Sequence, residues 1–184
     1  MWESRDLALV ILLAVASFLY TLFLGQLGNL ITGILGLNYI FIFGHAILIS
    51  FSFLIYEGRR WRFLLQGILV ALLTLPTYQS GAPFDLLARV PMIIGSLFSD
   101  SIFNSVYTFF HKHDKLIWWA ILVAVGFLLV TPLMVAVNMF LFYTPEVFTL
   151  FVNVFLLLLP VTMTEAIIGG FIGYKIYRRA KRNK

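Results

Sequence analysis

Arg89 and Asp100 stand eleven residues apart in the apolar run RVPMIIGSLFSDSIFNS, and Glu165 stands in the equally apolar VTMTEAIIGG. On a helix, eleven residues span about 16 Å, so Arg89 and Asp100 cannot pair with each other. Two other partners are open to Arg89. Asp85 precedes it by four residues, the favourable acid-first spacing for a local ion pair. Alternatively the guanidinium faces an anionic group on a small ligand, because charges at membrane depth usually line cavities. Counted outward from Lys112 and Lys175, Asp100 and Glu165 both lie about 15 to 18 Å above the charged boundary. Two carboxylates at one depth can share a proton, accept hydrogen bonds from serines, or act as general acid and base. Catalysis also needs a nucleophile and an electrophile site. No Walker, GxSxG, HExxH or GxGxxG pattern supplies one. No enzymatic activity and no cofactor is expected, and a structural or coupling role is preferred for the two carboxylates.

His45 in FIFGHAILIS is the third kind of chemical group in an apolar run. A helix histidine at such depth is most often a hydrogen-bonded interior residue; the functional alternative is a pocket contact. His111 and His113 fall in the separate stretch HKHDK, and the chain has no cysteine. A nickel, cobalt or zinc site is therefore not expected, and disulfides are excluded.

These residues must be positioned by elements that water does not solvate. The chain of 184 residues is 61% hydrophobic and 11% charged, against about 25% charged for ordinary globular domains. Apolar segments at 7–24, 39–56, 63–76, 86–110, 116–142 and 147–174 predict an all-α membrane protein of six transmembrane helices in one domain, 1–184. The first segment is read as an uncleaved helix rather than a signal peptide, because its apolar run continues past the small-residue site at Ala14–Ala16. The third is short, ending at Pro76. With the N-terminus inside, twelve of the thirteen cations fall on one side: Arg5, the three of EGRRWR, the two of HKHDK and the six of KIYRRAKRNK. The positive-inside rule then places both termini in the cytoplasm of a multi-pass cell-membrane protein. The net charge of +5 reads as membrane orientation, not as nucleic-acid binding.

Arg89 is the cation left over. On its side, polar candidates gather at Asn29, Asn38, Tyr78, Gln79, Asn138, Tyr143 and Asn153, beside the glycine-rich connection GQLGNLITGILGLN. That connection either folds back as a lid or lengthens the flanking helices. In the last segment Pro160 predicts a kink with nearby threonines re-satisfying the freed carbonyl, and Gly169 and Gly173 form a GxxxG pair that permits close helix contact.

Six helices in fewer than 200 residues, the hydrophobic first connection, GAPFDLLARVPMIIGSLFSD opening the fourth helix and TEAIIGGFIGYKIYRR closing the chain together resemble the substrate-binding S-components of energy-coupling-factor transporters. The resemblance covers the whole chain. It implies a membrane-embedded protein that captures a small water-soluble vitamin or related micronutrient at the outer face. The partners implied are a transmembrane coupling subunit and two cytoplasmic ATPases. The substrate site is expected among Asn38, His45, Tyr78, Asp85, Arg89, Asn138 and Asn153. Coupling-subunit docking is expected on the first helix, where the AxxxA pattern of the family is replaced by Ala8 and Ala16 with Leu12 between them. Cobalt and nickel versions carry a histidine after the initiator methionine; Trp2 stands there in this chain. The competing reading is a membrane scaffold of the rod-shape-determining type, whose helices serve protein contacts and transport nothing. Such a scaffold is packed in its outer half, where a binding protein holds a cavity lined by polar groups and aromatics.

Overall fold

In the computed structural model residues 2–25, 31, 42–78 and 82–182 are described, and they form six α-helices with no strand among them. The helices are α1 (Ser4–Tyr20, continued by a π-turn at Thr21–Gly25), α2 (Phe43–Tyr56), α3 (Arg62–Thr74), α4 (Val90–Lys112), α5 (Leu116–Phe142) and α6 (Pro145–Arg182). A 3-10 turn at Leu87–Arg89 leads into α4. The segments Ser4–Leu24, Leu116–Phe142 and Pro145–Arg182 are long and apolar enough to cross a membrane. α2 and α3, at 14 and 13 residues, fall short of the ~20 a span requires. α4 is long enough at 23 residues but is diluted by Ser96, Ser99, Asp100, Ser101, Asn104 and Ser105.

α2 is the axis of the bundle, packing on α1, α3, α5 and α6, while α3 joins α1 to α4 and α4 leads on to α5. Phe53 of α2 is fully buried and meets Phe63 of α3 at 4.2 Å between ring centroids, Phe103 of α4 at 5.8 Å and Trp119 of α5 at 5.9 Å. The Phe103 and Trp119 rings meet it edge-to-face and the Phe63 ring is tilted against it; edge-to-face contacts add to the stabilisation from the area they bury. The Trp119 indole N–H donates to the Phe103 carbonyl at 3.1 Å, so this large side chain is buried with its polar atom satisfied. A polar thread crosses the same layer. Tyr56 donates to Gln66, and Gln66 donates in turn to the Ser17 hydroxyl of α1.

The GxxxG pair closes α6 onto α2. A Cβ on Gly169 would sit 3.0 Å from the Phe43 carbonyl oxygen, and one on Gly173 would sit 3.0 Å from the Ile47 oxygen. Ala46 and Ser50, four residues apart, fill the notch from the other side. Small faces on both helices let the two backbones approach closely.

The cationic stretches gather at one end of the bundle. Asp6 of α1 binds Arg59 at 2.9 Å and also Arg62. Glu57 accepts from Tyr177 at 3.2 Å and Lys181 at 3.4 Å of α6. The turn between α2 and α3 takes positive φ at Glu57, Gly58 and Trp61. Gly58 also lies under the Tyr107 ring, where a side chain would collide. The α6 helix continues eight residues past the expected end at 174, because KIYRRAKR consists largely of good helix formers. It also runs unbroken through Pro160. Thr162 and Thr164 donate to the carbonyls of Leu158 and Pro160, not to the Leu156 carbonyl that the proline frees.

Candidate functional site

The charges of α4 are matched to the ends of α3. Arg89 is 2% exposed. Its Nη1 donates to the carbonyls of Ala82 at 2.8 Å and Asp85 at 3.1 Å, and its Nη2 to those of Thr74 at 3.1 Å and Thr77 at 2.8 Å. Thr74 is the last residue of α3. A helix C-terminus presents unpaired carbonyls and a partial negative charge, which a cation offsets. At the other end, the Asp100 carboxylate accepts from the backbone N–H groups of Trp61 at 2.6 Å and Phe63 at 3.0 Å. These donors open α3, where an anion serves as N-cap. α3 is about 20 Å long and the two charges are about 16 Å apart along the antiparallel α4. Their spacing in the sequence is set by the length of a neighbouring helix.

The local ion pair of Arg89 with Asp85 does not occur: Asp85 offers Arg89 its backbone carbonyl, while its carboxylate accepts from Ala88 N–H at 3.3 Å. Glu165 acts on α2 as Asp100 does on α3. Its Oε2 accepts from Ile42 N–H at 3.0 Å and the carboxylate also faces the N–H of Phe43. Tyr20 of α1 accepts from the next free donor of that turn, Gly44 N–H, at 3.1 Å. The expectation of one depth for Asp100 and Glu165 is therefore corrected. Glu165 sits at the start of α2, while Asp100 sits at the start of α3, whose Phe63 packs on Phe53, ten residues or about 15 Å along α2. Residue counting placed them together because α6 runs on past Lys175, which is not its boundary.

α2 begins low in the bundle. His45, in its first turn, lies between Tyr20 and Phe127, with ring centroids at 6.2 and 6.3 Å. From Phe127, α5 continues to Phe142, about 22 Å further, and α6 holds about 30 Å of helix between Pro145 and Glu165. The central helix thus begins less than half-way along α5, and among the described residues the upper part of the bundle is formed by α5, α6 and the ends of α1, α3 and α4. Two buried polar atoms in this part, Thr131 Oγ1 and Arg89 Nε, have no hydrogen-bond partner among the described residues. A buried donor without a partner is expensive, and such groups call for an explanation.

Of the expected substrate residues, Asp85, Arg89 and Asn138 come together at the entry to α4: Asn138 is buried and donates to the Leu87 carbonyl at 3.2 Å. His45 lies lower, on the central helix. Tyr78 is 80% exposed and Asn153 is exposed on α6, so neither joins them. Asn38 lies outside the described residues, as do Asn29, Gln79 and most of the first connection. Tyr20, Phe127 and Thr131 had no signal in the sequence, being ordinary members of apolar runs until packing turns them inward. Ala8 is exposed and Ala16 half-buried on the outward side of α1, whereas Ala14 and Ser17 face the core. A cleft of about 340 Å³ lies at the cationic end, among Asp6, Glu57 and Lys181, and not at the Arg89 end. Among the described residues no group of His, Asp and Glu side chains is placed to hold a metal ion. Comparison with protein-family models, with curated proteins and with solved structures finds no match.

Proposed function

We propose that this chain is the substrate-binding S-component of an energy-coupling-factor importer, capturing a small water-soluble vitamin or related micronutrient from outside the cell. In this reading all six helices cross the membrane and both termini are cytoplasmic. The coupling subunit docks along the Ala8 and Ala16 side of α1, and two cytoplasmic ATPases supply the energy. The observation that supports the proposal is the low start of α2, where Tyr20, His45 and Phe127 meet, with the Thr131 hydroxyl and Arg89 Nε buried above them and without a hydrogen-bond partner among the described residues. Ligand sites between bundle helices combine mostly apolar walls with a few convergent polar groups.

Purified protein should release a stoichiometric small molecule on denaturation, identified by mass spectrometry, and Thr131→Val should bind that molecule about tenfold more weakly. Folded protein that carries no small molecule, and binds none of the water-soluble vitamins in calorimetry, would leave the scaffold reading in its place. The six-span topology has its own check in this cysteine-free chain. Single cysteines at Arg60 and Lys112 should be labelled only from the cytoplasmic side, and one at Thr144, in the turn between α5 and α6, only from outside. Labelling of all three from one side would remove the six-span arrangement.

A further inference from the structure

The cleft of about 340 Å³ at the cationic end lies between α1 and α6, with the last turns of α2 behind it. Its back wall is apolar: Leu9 of α1 with Phe51 and Ile55 of α2. Its rim is charged, with Arg5, Arg59 and Lys181 against Glu3, Asp6 and Glu57. The acids are already engaged. Asp6 is bound by Arg59 and Arg62, Glu57 accepts from Tyr177 and Lys181, and Glu3 closes a capping box with the backbone of Asp6. Arg59 and Lys181 are the partners in two of these pairs, but Arg62 shares Asp6 with Arg59, so the four cations exceed the three acids by one. Arg5 has no ion pair among the described residues, the Arg59 side chain is 47% exposed and the Lys181 side chain 61% exposed. Arg178 and Arg182 are exposed on the last turns of α6.

A rim of three cations and three acids, with Arg62 as a fourth cation on Asp6, over an apolar wall, at the level where a membrane-spanning bundle would leave the hydrocarbon, matches a molecule with one anionic and one apolar end. We propose that this cleft binds an anionic phospholipid, its phosphate held by Arg5, Arg59 and Lys181 and the start of an acyl chain lying against Leu9, Phe51 and Ile55. Basic groups at this boundary favour anionic headgroups, and here a wall to receive the chain makes the contact a site as well as a surface attraction. The lipid would bridge α1 and α6 beside the ion pairs that α1 and α6 make with Arg59 and Glu57 of the α2–α3 turn. The proposal does not depend on what the upper part of the bundle binds.

Native mass spectrometry of delipidated protein, titrated with phosphatidylglycerol or with phosphatidylcholine of the same acyl chains, tests it. One phosphatidylglycerol should bind at least tenfold more tightly than phosphatidylcholine. The double variant Arg5→Gln, Lys181→Gln should lose that preference, while Lys112→Gln, Lys115→Gln, with the same charge change in the α4–α5 turn, should keep it. Equal loss in both double variants would reduce the effect to net charge and overturn the site. Displacement of the lipid by millimolar inorganic phosphate or glycerol phosphate would show a headgroup-only anion site and overturn the lipid assignment. Circular dichroism of each variant separates either outcome from misfolding.

Discussion

Arg89→Ala should unfold in detergent about 10 °C below the unsubstituted protein. Four backbone carbonyls, that of Thr74 at the end of α3 among them, share this one guanidinium, and truncation takes its charged donors from all four, while the Thr74 carbonyl keeps its bonds from the Thr77 N–H and hydroxyl and the Ala82 carbonyl its bond from the Asp85 N–H. Hydrogen bonds to a charged group contribute roughly 1.5 to 3 kcal/mol each, and breaking a buried charged arrangement from one side costs about 3 to 5 kcal/mol in all. For a chain of this size each kcal/mol moves the midpoint by about 2 to 4 °C. Arg89→Lys keeps the charge without the planar fork, so it should lose part of this. An exposed i,i+4 pair with Asp85 would instead have been worth only roughly 0.2 to 0.5 kcal/mol. A midpoint for Arg89→Ala within 2 °C of the parent would therefore show that the carbonyl cage does not hold α3.

Gly173→Leu should be as damaging by a different route. The added side chain would start 3.0 Å from the Ile47 oxygen and against Ser50, and a backbone oxygen cannot rotate away. Overpacking of this kind costs about 1 to 3 kcal/mol where neighbours yield and more where they are backbone. Loss of the monodisperse peak in size-exclusion chromatography is the expected result. Ala8→Leu, on the outward side of α1, adds similar bulk and should leave that peak unchanged. If both variants behave alike, α6 and α2 are not packed through this notch.

The helices were legible where charge brackets them. α5 runs from Leu116 to Phe142, the bounds expected from HKHDK before it and YTPE after it, because a polar flank fixes where an apolar helix ends. The basic tail misled for the opposite reason: it marks the edge of the apolar run but continues the helix to Arg182. Arg89, Asp100 and Glu165 could be singled out from their surroundings, since charge amid Leu, Ile and Phe is conspicuous. Their partners could not, because each binds backbone of another helix, and backbone has no identity in a sequence. Only the length of α3 hinted at it, being close to the distance from Arg89 to Asp100. His45 was visible as a candidate, but Tyr20 and Phe127, which flank it, become distinguishable only when α2 is seen to stop beneath them.

In the six-span arrangement proposed above, the matching of α4 to the ends of α3 also bears on how the chain enters a bilayer. α3 alone is too short to cross, and α4 alone would carry a cation and an anion into hydrocarbon at several kcal/mol apiece. Side by side, the cation meets the carbonyl end of its neighbour and the anion meets the amide end, so neither charge faces lipid unpartnered. The two helices should therefore insert as one hairpin after both have been synthesised, and a chain truncated between Thr74 and Arg89 should leave α3 outside the membrane, open to added protease.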